Sequence, residues 1–483
     1  MEFFHDTYKL NSKLSNIFIE FEEKIPHLYK LSELYIDNNN PTKKLKREFL
    51  FLRRSLGFLR SILIALFRSC FNRRTISKFD SDILFVSPYL KKSKKINFFF
   101  GDLVNDFHNL NQTTIDLRIY NGDTSLSDYF NEKDDPSLNI FHLPCLSIRE
   151  NLSIFKDLLR TFKDISIVVK KEKDPDKTQL LRLIRNRVFS RSNFFNFYLS
   201  AQLDNLIKSN NFQLAIVTFD GSPWERIFCK KFKSSNKRGR VAFYQHAPIT
   251  KKSYFLFNKY PDLFNPDKIY CSGTIPYNIF SNKISFLKSI NILGSRKHQR
   301  EPKERNFYKD ESVLFITQGL RKDIFTLYKI AIRLAFHKKA MKTKVLIHPA
   351  ANLSIFFKAI NKFFELLLSN FMCISSADDN TFSKSKFMVY FSSSLAIEKI
   401  PFDIRPIHLE NSSNNNPLNE LVHKGNPTLS WCSQAKNFND ILNIINSEPD
   451  LDSMDVEYSK ENAKVFSKAY FEPFQLSKEI ISE

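Results

Sequence analysis

Two apolar runs in the last third of the chain set the strongest limit on its fold. Lys344-Val345-Leu346-Ile347 stops at His348-Pro349, and Lys386-Phe387-Met388-Val389-Tyr390 stops at Phe391-Ser392-Ser393-Ser394. Neither run alternates cleanly between apolar and polar residues, so each must be covered on both faces, as the strands of a parallel sheet are. A helix-compatible stretch follows each run and supplies that cover. Ligands of such sheets sit beyond the carboxyl ends of the strands, which is where the imidazole and the three hydroxyls stand. Hydroxyls that open a helix offer side-chain donors, free backbone N–H groups and the positive dipole end, a set that suits a phosphate. An imidazole on a neighbouring strand end can hydrogen-bond the same phosphate, or neutralise it when protonated. The pair therefore points to a nucleotide phosphate as leaving group.

The same strand–helix order recurs from about residue 80 onward. Candidate strands are 82–87, 115–120, 214–219, 241–244 and 268–271, with an amphipathic segment at 98–110 and a basic helical region at 150–210. A second series follows at 312–317, 344–347, 371–374, 386–390 and 406–409. Between the two lies 295–311, a charged stretch with a proline and almost no apolar residue, read as a linker. The expected fold is α/β, with two Rossmann-like lobes of mainly parallel sheet behind an N-terminal helical extension. The expected divisions are 1–78 (basic helical extension), 79–300 (first lobe, for the acceptor), 308–460 (second lobe, for the nucleotide) and 461–483 (closing helix). No G-x-G-x-x-G loop occurs, so the dinucleotide fingerprint is absent.

Lys and Arg number 73 against 51 Asp and Glu, a net charge of +22. Such a balance favours anionic partners. A compositional bias rich in Lys, Asn, Ile and Phe, with 50 Phe and only 9 Gly, produces the same excess without selection for any partner. The charge is dense near the N-terminus: residues 41–78 hold eleven Lys and Arg and one acid, Glu48. Interleaved with them is the apolar run 56–67, broken by Arg60. Two arrangements satisfy this pattern. Residues 43–74 can lie on an anionic membrane surface, with Arg53, Arg54, Arg60 and Arg68 towards the headgroups. Alternatively the helix packs on the protein's own core with a solvated basic face. The six cysteines form no C-x-x-C pair and none stands beside a His at metal-ligand spacing, which fits reduced thiols in a cytosol. The first 30 residues mix Glu, Asp and Lys, unlike a signal peptide, and no run reaches the roughly 20 apolar residues that span a bilayer. A cytoplasmic location is expected, peripheral at the inner membrane face if 43–74 bind lipid.

Two lobes with polar strand ends facing one cleft resemble the nucleotide-sugar transferases of the two-lobe, GT-B-like type. His348-Pro349 resembles the His-Pro motif of bacterial capsule sialyltransferases, Kdo transferases and the glycerophosphotransferases of teichoic-acid synthesis. Ser392-Ser393-Ser394 with Glu398 resembles their Ser-Ser motif and following helix, and Asp220-Gly221 is similar to the acidic-Gly motif that supplies the sialyltransferase base. Phe100-Gly101-Asp102-Leu103 and Tyr244-Gln245-His246 resemble bacterial surface-carbohydrate biosynthesis proteins. The resemblance spans about residues 80–440 and rests on short motifs. It departs where Phe219 precedes Asp220 in place of a second acid, where Val389 stands instead of the Asp of Asp-Tyr-Ser-Ser, and where Ile404-Arg405-Pro406 replaces Gly-x-Pro.

The resemblance implies a glycosyltransferase that takes a CMP-activated acidic sugar of sialic acid or Kdo type. The acceptor would be a cell-surface polysaccharide or lipopolysaccharide, as in capsule synthesis. The nucleotide sugar is a substrate, and no cofactor or metal is implied. Ser393 and Ser394 would bind the phosphate, with Ser392, Pro349, Gln318 and Gly319 at the same strand ends. His348 would stabilise charge on the leaving phosphate, and Glu398 would accept from ribose hydroxyls. Asp220 would deprotonate the acceptor hydroxyl, with Gly221, Gln245 and His246 on the acceptor side. A CDP-glycerol-type glycerophosphotransferase or a UDP-sugar transferase would use the same layout. A non-catalytic basic scaffold for polyanionic polysaccharide or nucleic acid is the reading from another class. It draws on 230–252, which has eight Lys and Arg, no acid, and Phe232, Phe243 and Tyr244 among them. No nucleic-acid motif accompanies that stretch, so no specific nucleic-acid partner is expected. Each motif also has a plain structural use: a helix cap for His348 or Ser392–Ser394, and turn chemistry for Asp220-Gly221-Ser222-Pro223. No Asp-x-Asp metal motif occurs; Asp134-Asp135 and Asp378-Asp379 are adjacent acids in polar segments.

Overall fold

The computed structural model describes residues 44–71, 81–89, 97–110, 112–119, 140–143, 145–236, 238–249, 253, 256–257, 259–287, 289–298, 312–318, 321–348, 351, 355–410, 431–447 and 454–475. The first sheet contains β1 (Ile83–Pro88), β2 (Thr114–Ile119), β3 (Ile140–His142), β4 (Leu214–Phe219), β5 (Arg240–Gln245), β6 (Lys268–Cys271) and β7 (Ser289–Ile292). Their spatial order is β3-β2-β1-β4-β5-β6-β7, and every pairing is parallel. The second sheet contains β8 (Ser312–Ile316), β9 (Lys342–Leu346), β10 (Phe371–Ile374), β11 (Phe387–Tyr390), β12 (Arg405–Leu409) and β13 (Ser433–Ala435). Its order is β10-β9-β8-β11-β12-β13, again parallel throughout.

Successive residues of each central strand enter cores on opposite faces. Leu84 and Val86 join one hydrophobic cluster while Ile83 and Phe85 join the other. Val313 and Phe315 split from Leu314 and Ile316 in the same way. Burial on both sides is why these strands read as unbroken apolar runs. Both sheets start in their middle, grow outward to one edge, then reverse. The reversal leaves a crevice between β1 and β4 in the first sheet and between β8 and β11 in the second, the usual ligand position in such sheets.

Three strands were not anticipated from the sequence. β3 and β13 have three residues each and β7 is half-exposed, so none carries a long apolar run. The expected linker also begins later than its composition suggested. Ser295 is buried, and residues 295–298 pack against both lobes; 299–311 lie outside the described residues. The helical extension is described only from Lys44. There α1 (Lys44–Phe71) packs against α2 (Ile148–Lys171) and α4 (Arg191–Ser209), which flank α3 (Pro175–Arg185). Phe58 meets the rings of Phe189 and Phe194 edge-on at 5.4 and 5.9 Å.

The closing helix, expected at 461–483, runs earlier, from Met454 to Tyr470, followed by an irregular segment at 471–475. Val456, Ala463 and Tyr470 belong to the core of the second lobe. The chain then crosses to the first lobe, where Ser272 Oγ donates to the Tyr470 carbonyl at 2.9 Å and the Ser295 N–H donates to the Glu472 carbonyl at 2.7 Å. Gly294, at φ +91, lies under this segment; a Cβ there would sit 2.1 Å from the Pro473 carbonyl oxygen.

One buried polar group tests the packing of the first lobe. Asp116 and Arg118 form an ion pair at 2.9 Å with side chains only 4% and 3% exposed, and Asn97 Nδ2 donates to Asp116 at 2.7 Å. Asp116→Ala strands the Arg118 cation in the interior, so urea unfolding should show a loss of roughly 3–5 kcal/mol, largely recovered by also replacing Arg118 with Met.

Candidate functional site

The first wall of the site is the end of β4. Gly221 adopts φ +78, a conformation that a side chain would strain, and this turns the chain sharply after Asp220. Ser222 and Pro223 then start α5 (Pro223–Ser235). Asp220 is exposed, and its Oδ1 accepts from the Ser222 N–H at 3.0 Å. Glu225, one turn into α5, is fully buried and folds back under the turn. Its two oxygens accept the Asp220 and Gly221 N–H groups, each at 3.0 Å. Burial, and then the charge of Asp220, push the Glu225 pKa well above the usual carboxylate range. Glu225 therefore anchors the turn that presents Asp220.

Beside it, β5 ends at Gln245-His246. Gln245 does not face a cleft, contrary to the acceptor-binding role expected for it. It is fully buried, accepts from Ser272 N–H at 3.1 Å and Ser272 Oγ at 3.0 Å, and donates to the Ala247 carbonyl. It ties β5 to β6 and, through Ser272, to the C-terminal segment. The His246 ring stands edge-on to Phe99 at 4.7 Å, and its Nδ1 has no hydrogen-bond partner. Burial, reinforced by the charge of Lys297, lowers its pKa to about 4 against the pull of Asp220. The imidazole is thus neutral near pH 7, and its unpartnered Nδ1 is buried.

The second wall is the carboxyl edge of β8, β9 and β11. Ser394 and Ser393 stand at the end of β11, followed by α6 (Leu395–Glu398). The expected helix is thus a single turn, continued by a short 3-10 segment, Ile400–Phe402. Its dipole is correspondingly small, and the Ser394 side chain makes no cap bond. Ser393 Oγ accepts from the Leu395 N–H at 3.3 Å. Gln318, at the end of β8, has a buried Nε2 without a partner. Thr317 Oγ1 donates to the Leu346 carbonyl at 3.0 Å and accepts the His348 N–H at 2.9 Å, which binds the ends of β8 and β9 together. His348 is on the same edge as the serines, but β8 lies between their strands, a separation of about 10 Å at normal strand spacing. Desolvation lowers the His348 pKa, so its ring can donate a hydrogen bond near neutral pH but brings no charge. Pro349 and Gly319 lie outside the described residues.

Lys297 joins the two walls. Its Nζ donates to the His246 carbonyl at 3.0 Å and to Ser394 Oγ at 3.1 Å, and lies 5.4 Å from the centre of the Phe471 ring. Burial lowers its pKa to about 8, against the charge of Glu398, with Arg296 lowering it further. Sequence reasoning missed Lys297 because it stands in a run of charges that looked solvated. The one available signal was β7, whose recognition would have placed residue 297 just beyond a strand end. Sequence reasoning gave Glu225 no task.

No protein-family model matches the sequence, and no curated protein matches it. Solved structures with a similar outline exist. The S. aureus MnaA–UDP complex is 11% identical with a TM-score of 0.43, covering 79% of this chain and 91% of that one. A single-site mutant of S. aureus TarM in complex with Fondaparinux, alpha-GlcNAc-glycerol and UDP is 10% identical at 0.43, covering 81% and 97%. The glycotransferase of kitacinnamycin is 8% identical at 0.45, covering 81% and 95%. The two-lobe arrangement of parallel sheets is read from this chain's own strand order, and the chemistry rests on its own residues.

The His246 environment predicts a pH dependence of stability. Its folded pKa of about 4 lies below the ordinary value of 6.5, so between them the unfolded chain binds a proton that the folded chain does not. Stability attributable to this group is present above pH 6.5 and is lost as pH falls towards 4. Melting temperatures of the parent should decline across that window more than those of His246→Asn; equal declines would assign the titration to another group.

Proposed function

We propose that the chain is a nucleotide-sugar-dependent glycosyltransferase whose donor phosphate binds between β8 and β11 and whose acceptor hydroxyl meets Asp220. The Lys297 bridge carries this reading, because it connects the Asp220 wall to the Ser394 wall. As the bond between the anomeric carbon and the phosphate oxygen breaks, its electron pair passes to the phosphate. Charge grows there, and fixed donors stabilise it most at that moment. Lys297 supplies a cation, Ser393 and Ser394 supply hydroxyls, and Gln318 supplies an amide donor. His348 adds a neutral donor at the far side of β8. Asp220 takes the proton of the acceptor hydroxyl, whose oxygen forms the new bond to the anomeric carbon. Glu398, beside Lys297, is suited to ribose hydroxyls. Charge stabilisation by Lys297 and the hydroxyls makes a metal unnecessary in this scheme.

The donor proposed from the motif resemblance is a CMP-activated acidic sugar, with a bacterial surface polysaccharide or lipopolysaccharide as acceptor on the cytoplasmic side. One cation with two or three hydroxyls accommodates a monophosphate or a diphosphate equally, so UDP-sugars are the second reading. Thermal shifts with CMP, CDP, UDP, GDP and ADP distinguish them; a ligand at about 100 Kd adds roughly 2.7 kcal/mol of stability.

The roles predict separate phenotypes. Asp220→Asn should leave nucleotide affinity nearly intact and lower turnover by roughly 10²-fold or more, the scale of general-base catalysis. Ser394→Ala should instead raise the nucleotide Kd. Turnover of Asp220→Asn at the parent rate would place the base elsewhere, and an unchanged Kd for Ser394→Ala would remove the phosphate from this edge.

A further inference from the structure

The outer faces of α1 and α2 have a composition that the glycosyltransferase reading does not explain. On α1, Leu56, Leu59, Leu63 and Phe67 are 46–67% exposed although Phe58 and Ala65 on the opposite side are buried. On α2, Ile148, Leu152, Phe155 and Leu159 are 37–52% exposed, while Ile154, Leu158 and Ile165 fill the core. Isolated exposed leucines are ordinary, but two helical rows of four on adjacent helices make an apolar surface. The end of α1 and the start of α2 are locked together: Ser69 Oγ donates to the Leu146 carbonyl at 2.7 Å, and Asn151 Nδ2 donates to Ser69 Oγ at 2.8 Å.

Charge decides what such a surface fits. The exposed charged residues of α2 are Arg149, Lys156, Arg160, Lys163, Lys170 and Lys171, all basic. The three acids of α2, Glu150, Asp157 and Asp164, are half-buried. Glu150 accepts from Ser147 and Asn205, and Asp157 pairs with Arg160 at 3.7 Å. Arg60 adds an exposed cation on α1. Leu, Ile and Phe rows bordered by Lys and Arg are what lies in a bilayer interface, with the apolar side chains among the acyl chains and the cations at anionic headgroups. A second copy of these faces would set basic rim against basic rim, which repels. No helix among the described residues is long and apolar enough to cross a membrane, so contact would be interfacial.

We propose that the outer faces of α1 and α2 together dock the first lobe on an anionic lipid surface. The placement is functional. α2 begins directly after β3, at the same carboxyl edge of the sheet as Asp220 and three strands from it, about 14 Å at normal strand spacing. A lipid-linked acceptor would then reach Asp220 from the membrane side.

Flotation of the full chain with phosphatidylglycerol–phosphatidylcholine vesicles, and with phosphatidylcholine alone, tests this. Two triple variants separate the helices: Leu56→Ser, Leu59→Ser, Leu63→Ser on α1, and Leu152→Ser, Phe155→Ser, Leu159→Ser on α2. The parent should float with the anionic vesicles and much less with the neutral ones. Each triple variant should lose at least about tenfold in partitioning, since every buried methylene contributes. The melting temperatures of the variants, which alter exposed side chains only, should stay near that of the parent. Absence of anionic preference in the parent, or parental binding by the α2 variant, would overturn the proposal. So would light scattering that shows a dimer in the parent and a monomer in the variants, because the faces would then be an interface between copies.

Discussion

The half-buried ammonium of Lys297 is the group on which the arrangement of the site depends. A cation removed from water is costly unless opposite charge or good acceptors surround it. Here it has a carbonyl, a hydroxyl and the more distant charge of Glu398, and burial still wins, since the pKa falls to about 8. The site is therefore short of negative charge. A phosphate placed against Lys297 and Ser394 would correct that shortage, which is how an anion-binding pocket is prepared in advance of its ligand. Across the same bridge the carboxyl pair Asp220–Glu225 holds the opposite character. Glu225 is held under the turn by the Asp220 and Gly221 N–H groups, with its pKa raised by burial, and Asp220 is the exposed carboxyl of the two.

The bridge can only persist if the lobes are held in register, and the C-terminal segment does this. Its helix is built into the second core, through residues such as Ala463 and Tyr470, while residues 470–475 bond along β6 and β7 of the first lobe. Gln245 belongs to this framework and not to the acceptor surface. Its amide fixes Ser272, which in turn fixes the Tyr470 carbonyl. The Tyr470 hydroxyl accepts the Ile249 N–H at 2.7 Å, so the loop after His246 is tied to the same strap.

Legibility in the sequence followed burial. Strands covered on both faces, such as 83–88 and 387–390, were plain because both neighbouring layers demand apolar residues. Edge strands of three or four residues, such as Ser433–Ala435, carry no such demand and were invisible. The serine cluster and Asp220 were recognisable because polar groups at strand ends stand out against apolar runs. What composition could not show was which strands would be neighbours. The β10-β9-β8-β11 order puts His348 one strand further from the serines than adjacent positions would. Lys297 was hidden for the converse reason. One half-buried lysine in a run of lysines and arginines looks the same as its solvated neighbours until the fold selects it.

The central claim is that a half-buried, protonated Lys297 binds the donor phosphate between the lobes. Calorimetric titration of the nucleotide that stabilises the protein best, between pH 7 and pH 9, tests it most directly. With the free-protein pKa at about 8, affinity of the parent should weaken as pH rises above that value, approaching a tenfold loss per pH unit. Lys297→Met should bind more weakly at pH 7 and show no such slope. A Lys297→Met protein that binds the nucleotide as tightly as the parent, with the same pH profile, would contradict the account.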